Sequence, residues 1–186
     1  MAKTIRLASP LQTDSIVDGE GIRSVIWTQG CSHNCKGCHN PETHDFKKGF
    51  SKDIEELKLE ISNLKNQDGI TFSGGDPMFQ VDAVLELAKH CKENNLNVWC
   101  YTGFTFEQLL IMSKNNKKIL ELLNNIDVLV DGKFILEEKS FDVIFRGSKN
   151  QRILDVKKSL ELKKAVEIKK YIPKKQEVYK QEYLFV

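Results

Sequence analysis

The chain has 186 residues, 40% hydrophobic and 29% charged, with a formal net charge of +2. That length fits one domain with a substantial core, and the composition is that of an ordinary soluble protein with no run of membrane-spanning length. Five cysteines, three of them clustered, argue against a disulfide framework and for metal binding in a reducing compartment.

In chain order, the N-terminus lacks a secretory pattern and leads into a short strand-like stretch. Residues 22–28, with Ile22, Val25, Ile26 and Trp27, read as a buried strand. Residues 29–50 carry turn chemistry. Ser51 is expected to cap a helix running to about residue 66, its apolar face formed by Ile54, Leu57, Ile61 and Leu64. Ile70-Thr71-Phe72 is a strand closed by Gly74-Gly75. A helix over 78–94 turns Val81, Val84, Leu85, Ala88 and Cys91 inward. Strands follow at 98–101, 128–130 and 152–154, separated by helical patterns at 105–112 and 117–125. A lysine-rich helical stretch follows the last strand, and residues 165–186 suit either strand or helix. This alternation gives right-handed βαβ crossovers and a parallel sheet. Five or so units are too few for a closed barrel, so the expected fold is α/β with an open, partial (β/α) barrel.

Cys31-Ser32-His33-Asn34-Cys35-Lys36-Gly37-Cys38 is the most informative run. A [4Fe–4S] cluster held entirely by protein takes four thiolates. Three on one loop, with no fourth nearby, leave one iron open, as in catalytic rather than structural metal centres. Structural zinc, bound by the same cysteines and one of His33, His39 or His44, is the alternative from spacing alone. Ser73-Gly74-Gly75-Asp76-Pro77 ends the second core strand, where glycines let a ligand lie against the backbone. Pro77 starts the following helix. Cys91 and Cys100 sit on apolar faces and are assigned to packing.

Other segments narrow the reading: Asp18-Gly19-Glu20-Gly21-Ile22-Arg23, Trp27-Thr28-Gln29-Gly30-Cys31, Tyr101-Thr102-Gly103-Phe104, Val130-Asp131-Gly132 and Arg146 to Arg152. With the cysteine run and the glycine turn, they resemble the radical S-adenosylmethionine (SAM) enzymes. Within these, they resemble the activating proteins of anaerobic ribonucleoside-triphosphate reductases, over about residues 5–160. The resemblance implies a [4Fe–4S] cluster on Cys31, Cys35 and Cys38, with SAM bound near Gly37, Cys38, His39, Gly74, Gly75, Asp76 and Asp131. His39 would lie beside adenine, and Asp131 would meet the ribose or the substrate peptide. Arg146 would pair with a carboxylate of SAM or of the partner. Asp76 stands where the broader superfamily often has Glu, and Glu20 replaces the usual Pro of its loop. The implied reaction is reductive cleavage of SAM, with the resulting radical taking a hydrogen from a glycine of the reductase. A reduced flavodoxin-type protein would donate the electron.

Another glycyl-radical partner, or a small-molecule substrate, is the alternative within the enzyme class. Outside it stand a zinc-binding module and an iron–sulfur electron carrier, neither of which needs the glycine turn. Residues 1–186 are expected to form a single cytoplasmic domain. Its basic C-terminal segment, 161–186, is divergent, and the stretch 150–186 carries a net +5 by residue count. That stretch is a solvated surface or a docking strip for an acidic partner. No aromatic platform or motif for nucleic acid accompanies it, and no membrane contact is expected.

Overall fold

Four parallel strands make the centre of the molecule: β3 (Arg23–Thr28), β5 (Gly69–Gly74), β6 (Asn97–Tyr101) and β7 (Val128–Asp131). Antiparallel strands flank them: β1 (Thr4–Leu7), β2 (Gln12–Ser15), β4 (Phe50–Asp53) and β8 (Arg152–Asp155). In this computed structural model, which describes residues 3–172, the eight-stranded sheet runs β4-β1-β3-β5-β6-β7-β8, with β2 beside β3. The fold is mixed α/β. The basic run beyond Ile172, including Lys174 and Lys175, lies outside the described residues.

The helices are α1 (Ile54–Ser62), α2 (Val81–Glu93), α3 (Phe106–Met112), α4 (Lys117–Leu123) and α5 (Val156–Leu162). None of the described residues forms a helix long and apolar enough to cross a membrane. Strand alternation divides the sheet's two faces. Ile70, Phe72, Val98, Cys100, Leu129 and Leu154 join the apolar stripes of all five helices in one core. Trp99, Val128, Val130 and Ile153 form a second cluster with Tyr171. Cys91 and Cys100 are fully buried in the first, as packing predicts.

Two boundaries differ from expectation. Ser51 does not cap α1; it pairs with Arg6 inside β4, and Asp53 takes the cap, accepting from the amides of Glu55 and Glu56. The helix expected from residue 78 opens as a 3₁₀ turn over Pro77–Gln80 before α2 begins. Beyond α5 the chain doubles back on β8, where the Asp155 amide donates to Val166 O and the Ile168 amide to Ile153 O. It then reaches Tyr171, whose ring packs edge-on against Trp99 and Phe145 at 6.0 and 5.7 Å. Lys170 pairs with Glu20, and the Tyr171 hydroxyl donates to the same carboxylate.

Candidate metal centre

The carboxyl ends of β3 and β5 are zipped together beyond the strands. The Gly75 amide donates to Thr28 O at 2.7 Å and the Asp76 amide to Gly30 O at 2.9 Å. An ideal Cβ on Gly75 would lie 2.4 Å from Gly30 O, and one on Gly74, whose φ is +99°, would lie 2.5 Å from Thr28 O. The glycine turn therefore lets two backbones touch. The loop that leaves β3 is framed by the same means. The Gly30 amide donates to Thr43 O and the Cys31 amide to His44 O, while buried Gln29 donates from Nε2 to Glu42 O and Asp45 O. Asn34 and Gly37 are left-handed, with φ of 50° and 72°, which allows the loop its tight course.

Cys31, Cys35 and Cys38 all line one cavity of about 120 Å³, together with Ser73, Gly74 and Gly75. A larger cavity of about 410 Å³ shares Cys38, Ser73, Tyr101, Phe134 and Gln151 with it. That volume lies in the ~300–1,000 Å³ range of small-molecule sites. His39 and Phe134 both line the larger cavity, their ring centroids 5.0 Å apart. A Cβ on Gly147 would lie 2.9 Å from Phe134 and 3.1 Å from His39, so the absent side chain leaves room for both rings. The cysteines are free thiols. Burial pushes the Cys31 thiol up to about 11 and raises that of Cys35, so binding iron there displaces protons. No three His, Cys, Asp or Glu side chains among the described residues close around a single metal ion. Three thiols facing one cavity that continues past them suit a cluster with one open iron.

Residues 17–154 match the model of a family described as a 4Fe-4S single cluster domain. A curated relative from Haemophilus influenzae, named anaerobic ribonucleoside-triphosphate reductase-activating protein, is 35% identical over 147 residues, covering 74% of this chain and 90% of its own. One of the same name from Vibrio cholerae is 37% identical over 146 residues, with the same coverage. The chain belongs to the family of these activating proteins. A solved structure, QueE from Escherichia coli, aligns over 55% of this chain and 54% of its own at 16% identity; its TM-score of 0.47 is too low to bear on the fold.

Within the family's frame, several expected site residues turn out to be engaged by their own chain. Asp76 is 1% exposed. Its Oδ2 accepts from Thr102 Oγ1 and the Gly103 amide, each at 2.9 Å, and lies 2.7 Å from His33 Nε2. Its Oδ1 accepts from the Met78 amide at 2.9 Å. Four contacts thus engage this carboxylate, three on Oδ2 and one on Oδ1. His33, which lines the cavity with the three cysteines, has its Nε2 engaged by this carboxylate.

Asp131, also buried, is not among the residues lining the cavity. It accepts from Arg152 Nε and Nη2 at 2.9 and 2.6 Å and from the Phe106 amide at 2.7 Å. That placement runs against the expected contact with ribose or peptide. The Asp131 hydrogen bonds hold the Arg152 guanidinium above its ordinary value, with help from Glu107. Replacing Asp131 with Ala should destabilise the fold by about 3 kcal/mol, the cost of breaking a buried pair. Urea unfolding checks this, and iron content should stay at the wild-type level.

Arg146 lines the larger cavity, but its Nη1 and Nη2 donate to Gln151 O and Tyr171 O, each at 2.8 Å. It anchors the 146–152 loop rather than presenting a free guanidinium. Sequence reasoning missed Gln29 and Arg152 as organising residues, and saw His33 only as a zinc candidate. The signal for Gln29 was a polar residue placed directly between a buried strand and a cysteine run.

Proposed function

We propose that this chain is a SAM-cleaving iron–sulfur activase that generates a glycyl radical on anaerobic ribonucleoside-triphosphate reductase. The observation that carries the reading is the placing of three free thiols and the glycine turn around one cavity, in a chain of the activating-protein family. The cofactors are a [4Fe–4S] cluster and SAM. Cys31, Cys35 and Cys38 would hold three irons and leave the fourth for the amino and carboxylate groups of SAM. When held there, a reduced cluster would supply the one electron needed for reductive cleavage of the C5′–S bond of SAM to methionine and a 5′-deoxyadenosyl radical. Transfer of a hydrogen atom from the reductase glycine then yields 5′-deoxyadenosine and the glycyl radical.

The chain's own residues supply position. Gly74 and Gly75 bring backbone close to the methionyl end, and His39 with Phe134 offers ring faces for adenine. We read the sheet as a partial barrel in one cytoplasmic domain, whose open side admits a peptide loop. A flavodoxin-type protein is the proposed electron donor. Anaerobic incubation with the reductase, SAM and a reductant should produce a glycyl doublet in the electron paramagnetic resonance spectrum, with stoichiometric 5′-deoxyadenosine. SAM cleavage without the doublet points to another substrate; no cleavage at all overturns the reading.

A further inference from the structure

We propose that His33 and Asp76 form a positioning pair that fixes the cysteine loop over the ends of the parallel strands. The proposal rests on reading that loop as a cluster loop. His33 lies midway between Cys31 and Cys35, yet its side chain points inward and is 8% exposed. Its Nε2 sits 2.7 Å from Asp76 Oδ2. The rings of Phe104 and Phe79 flank the imidazole, with centroids 4.5 and 5.7 Å away. The neighbouring turn is shaped to it as well, since a Cβ on Gly103 would come within 2.4 Å of His33 Cδ2.

One carboxylate thus joins four parts of the site. They are the cysteine loop through His33, the turn after β6 through Thr102 and Gly103, the 3₁₀ turn through Met78, and the glycine turn that Asp76 itself continues. The thiols on either side of His33 belong to residues two positions away, with left-handed Asn34 between His33 and Cys35. Movement of the imidazole therefore moves both cysteines. The arrangement needs only a donor at Nε2, whatever the net charge of the ring. It also favours aspartate. The short side chain caps Met78 while its other oxygen meets His33, and the extra methylene of glutamate would drive the carboxylate into the ring.

Wild type, His33→Ala, His33→Gln, Asp76→Asn and the His33→Ala/Asp76→Asn double variant can be reconstituted anaerobically with iron and sulfide. The readouts are the rate of iron loss to a chelator and the paramagnetic resonance spectrum of the reduced cluster, with thermal melts identifying any variant that has not folded. Loss of either partner should speed iron release by at least about tenfold, as for residues that orient metal ligands, and should shift the g-values. The double variant should be no worse than the poorer single one. Gln, whose amide nitrogen reaches about as far as Nε2, should restore most of the wild-type rate and spectrum. A folded His33→Ala protein with wild-type release and spectrum overturns the proposal, as do losses that multiply in the double variant. A wild type with no four-iron spectrum overturns the reading of the loop, and the pair's role with it.

Discussion

Replacing Cys35 with Ala is expected to abolish the four-iron cluster and all SAM cleavage. The same holds for Cys31 and Cys38. Removing only a residue that supports a ligand typically costs 10- to 100-fold, so loss of a ligand should exceed about 100-fold in turnover. The remaining thiols cannot compensate. Cys91 and Cys100 are the other two cysteines, and both are fully buried in the helix-facing core, away from the cavity. Burial pushes the Cys91 thiol up to about 12 and raises that of Cys100, which makes both poor thiolate donors. Cys91→Ala and Cys100→Ala should therefore keep the cluster, at a stability cost of about 1 kcal/mol each for a small buried side chain. Iron and sulfide content after anaerobic reconstitution, with release of 5′-deoxyadenosine, measures both. A Cys35→Ala protein with full iron and turnover would refute the ligand assignment.

Gly75→Val should have an effect nearly as large, and on the cluster rather than on SAM alone. A branched side chain there meets backbone, not open cavity: its Cβ would lie 2.4, 2.8 and 2.9 Å from O, C and N of Gly30. Backbone on both sides cannot yield as a flexible side chain would. Relief requires parting the extension of β3 and β5 that precedes Cys31, so the cysteine loop loses its seat. We expect at least about 3 kcal/mol of destabilisation, the upper range for overpacking, together with failure to assemble the cluster. Gly132 is the useful contrast. A Cβ there has nothing closer than 3.8 Å, and only its φ of +96° resists a side chain. Gly132→Ala should cost about 1–2 kcal/mol and leave iron content intact. Thermal melts and iron analysis of the two variants test the distinction. A Gly75→Val protein that keeps its cluster and loses only SAM affinity would place the side chain in the cavity instead.

Much of this was legible in the chain itself. The apolar runs at Val25-Ile26 and Ile70-Thr71-Phe72 and the spacing of Ile54, Leu57 and Ile61 mark elements whose burial is local in period. The cysteine spacing and the glycine turn lie at strand ends, where parallel folds collect their sites. The features that escaped depend on partners far along the chain. Ser51 looks like a helix cap until Arg6 pairs with it across β1 and β4. Gln12-Thr13-Asp14-Ser15 has no apolar alternation, and only its pairing with β3 makes it a strand. Asp76 and Asp131 both read as carboxylates at the catalytic edge. Which way each faces is decided by His33, Thr102 and Arg152, at separations of 43, 26 and 21 residues.

The stretch from α5 to Ile172 changes where the working unit ends. The family match stops at residue 154, inside β8. Past that point come the antiparallel neighbour of β8, the ring that covers Trp99, and the carbonyl that takes one arm of Arg146. A fragment trimmed to the matched span would bare an indole that is 2% exposed in the intact chain. It would also slacken the loop that walls the larger cavity. The stretch acts as a buttress, and fusions or truncations intended to spare the site belong beyond it.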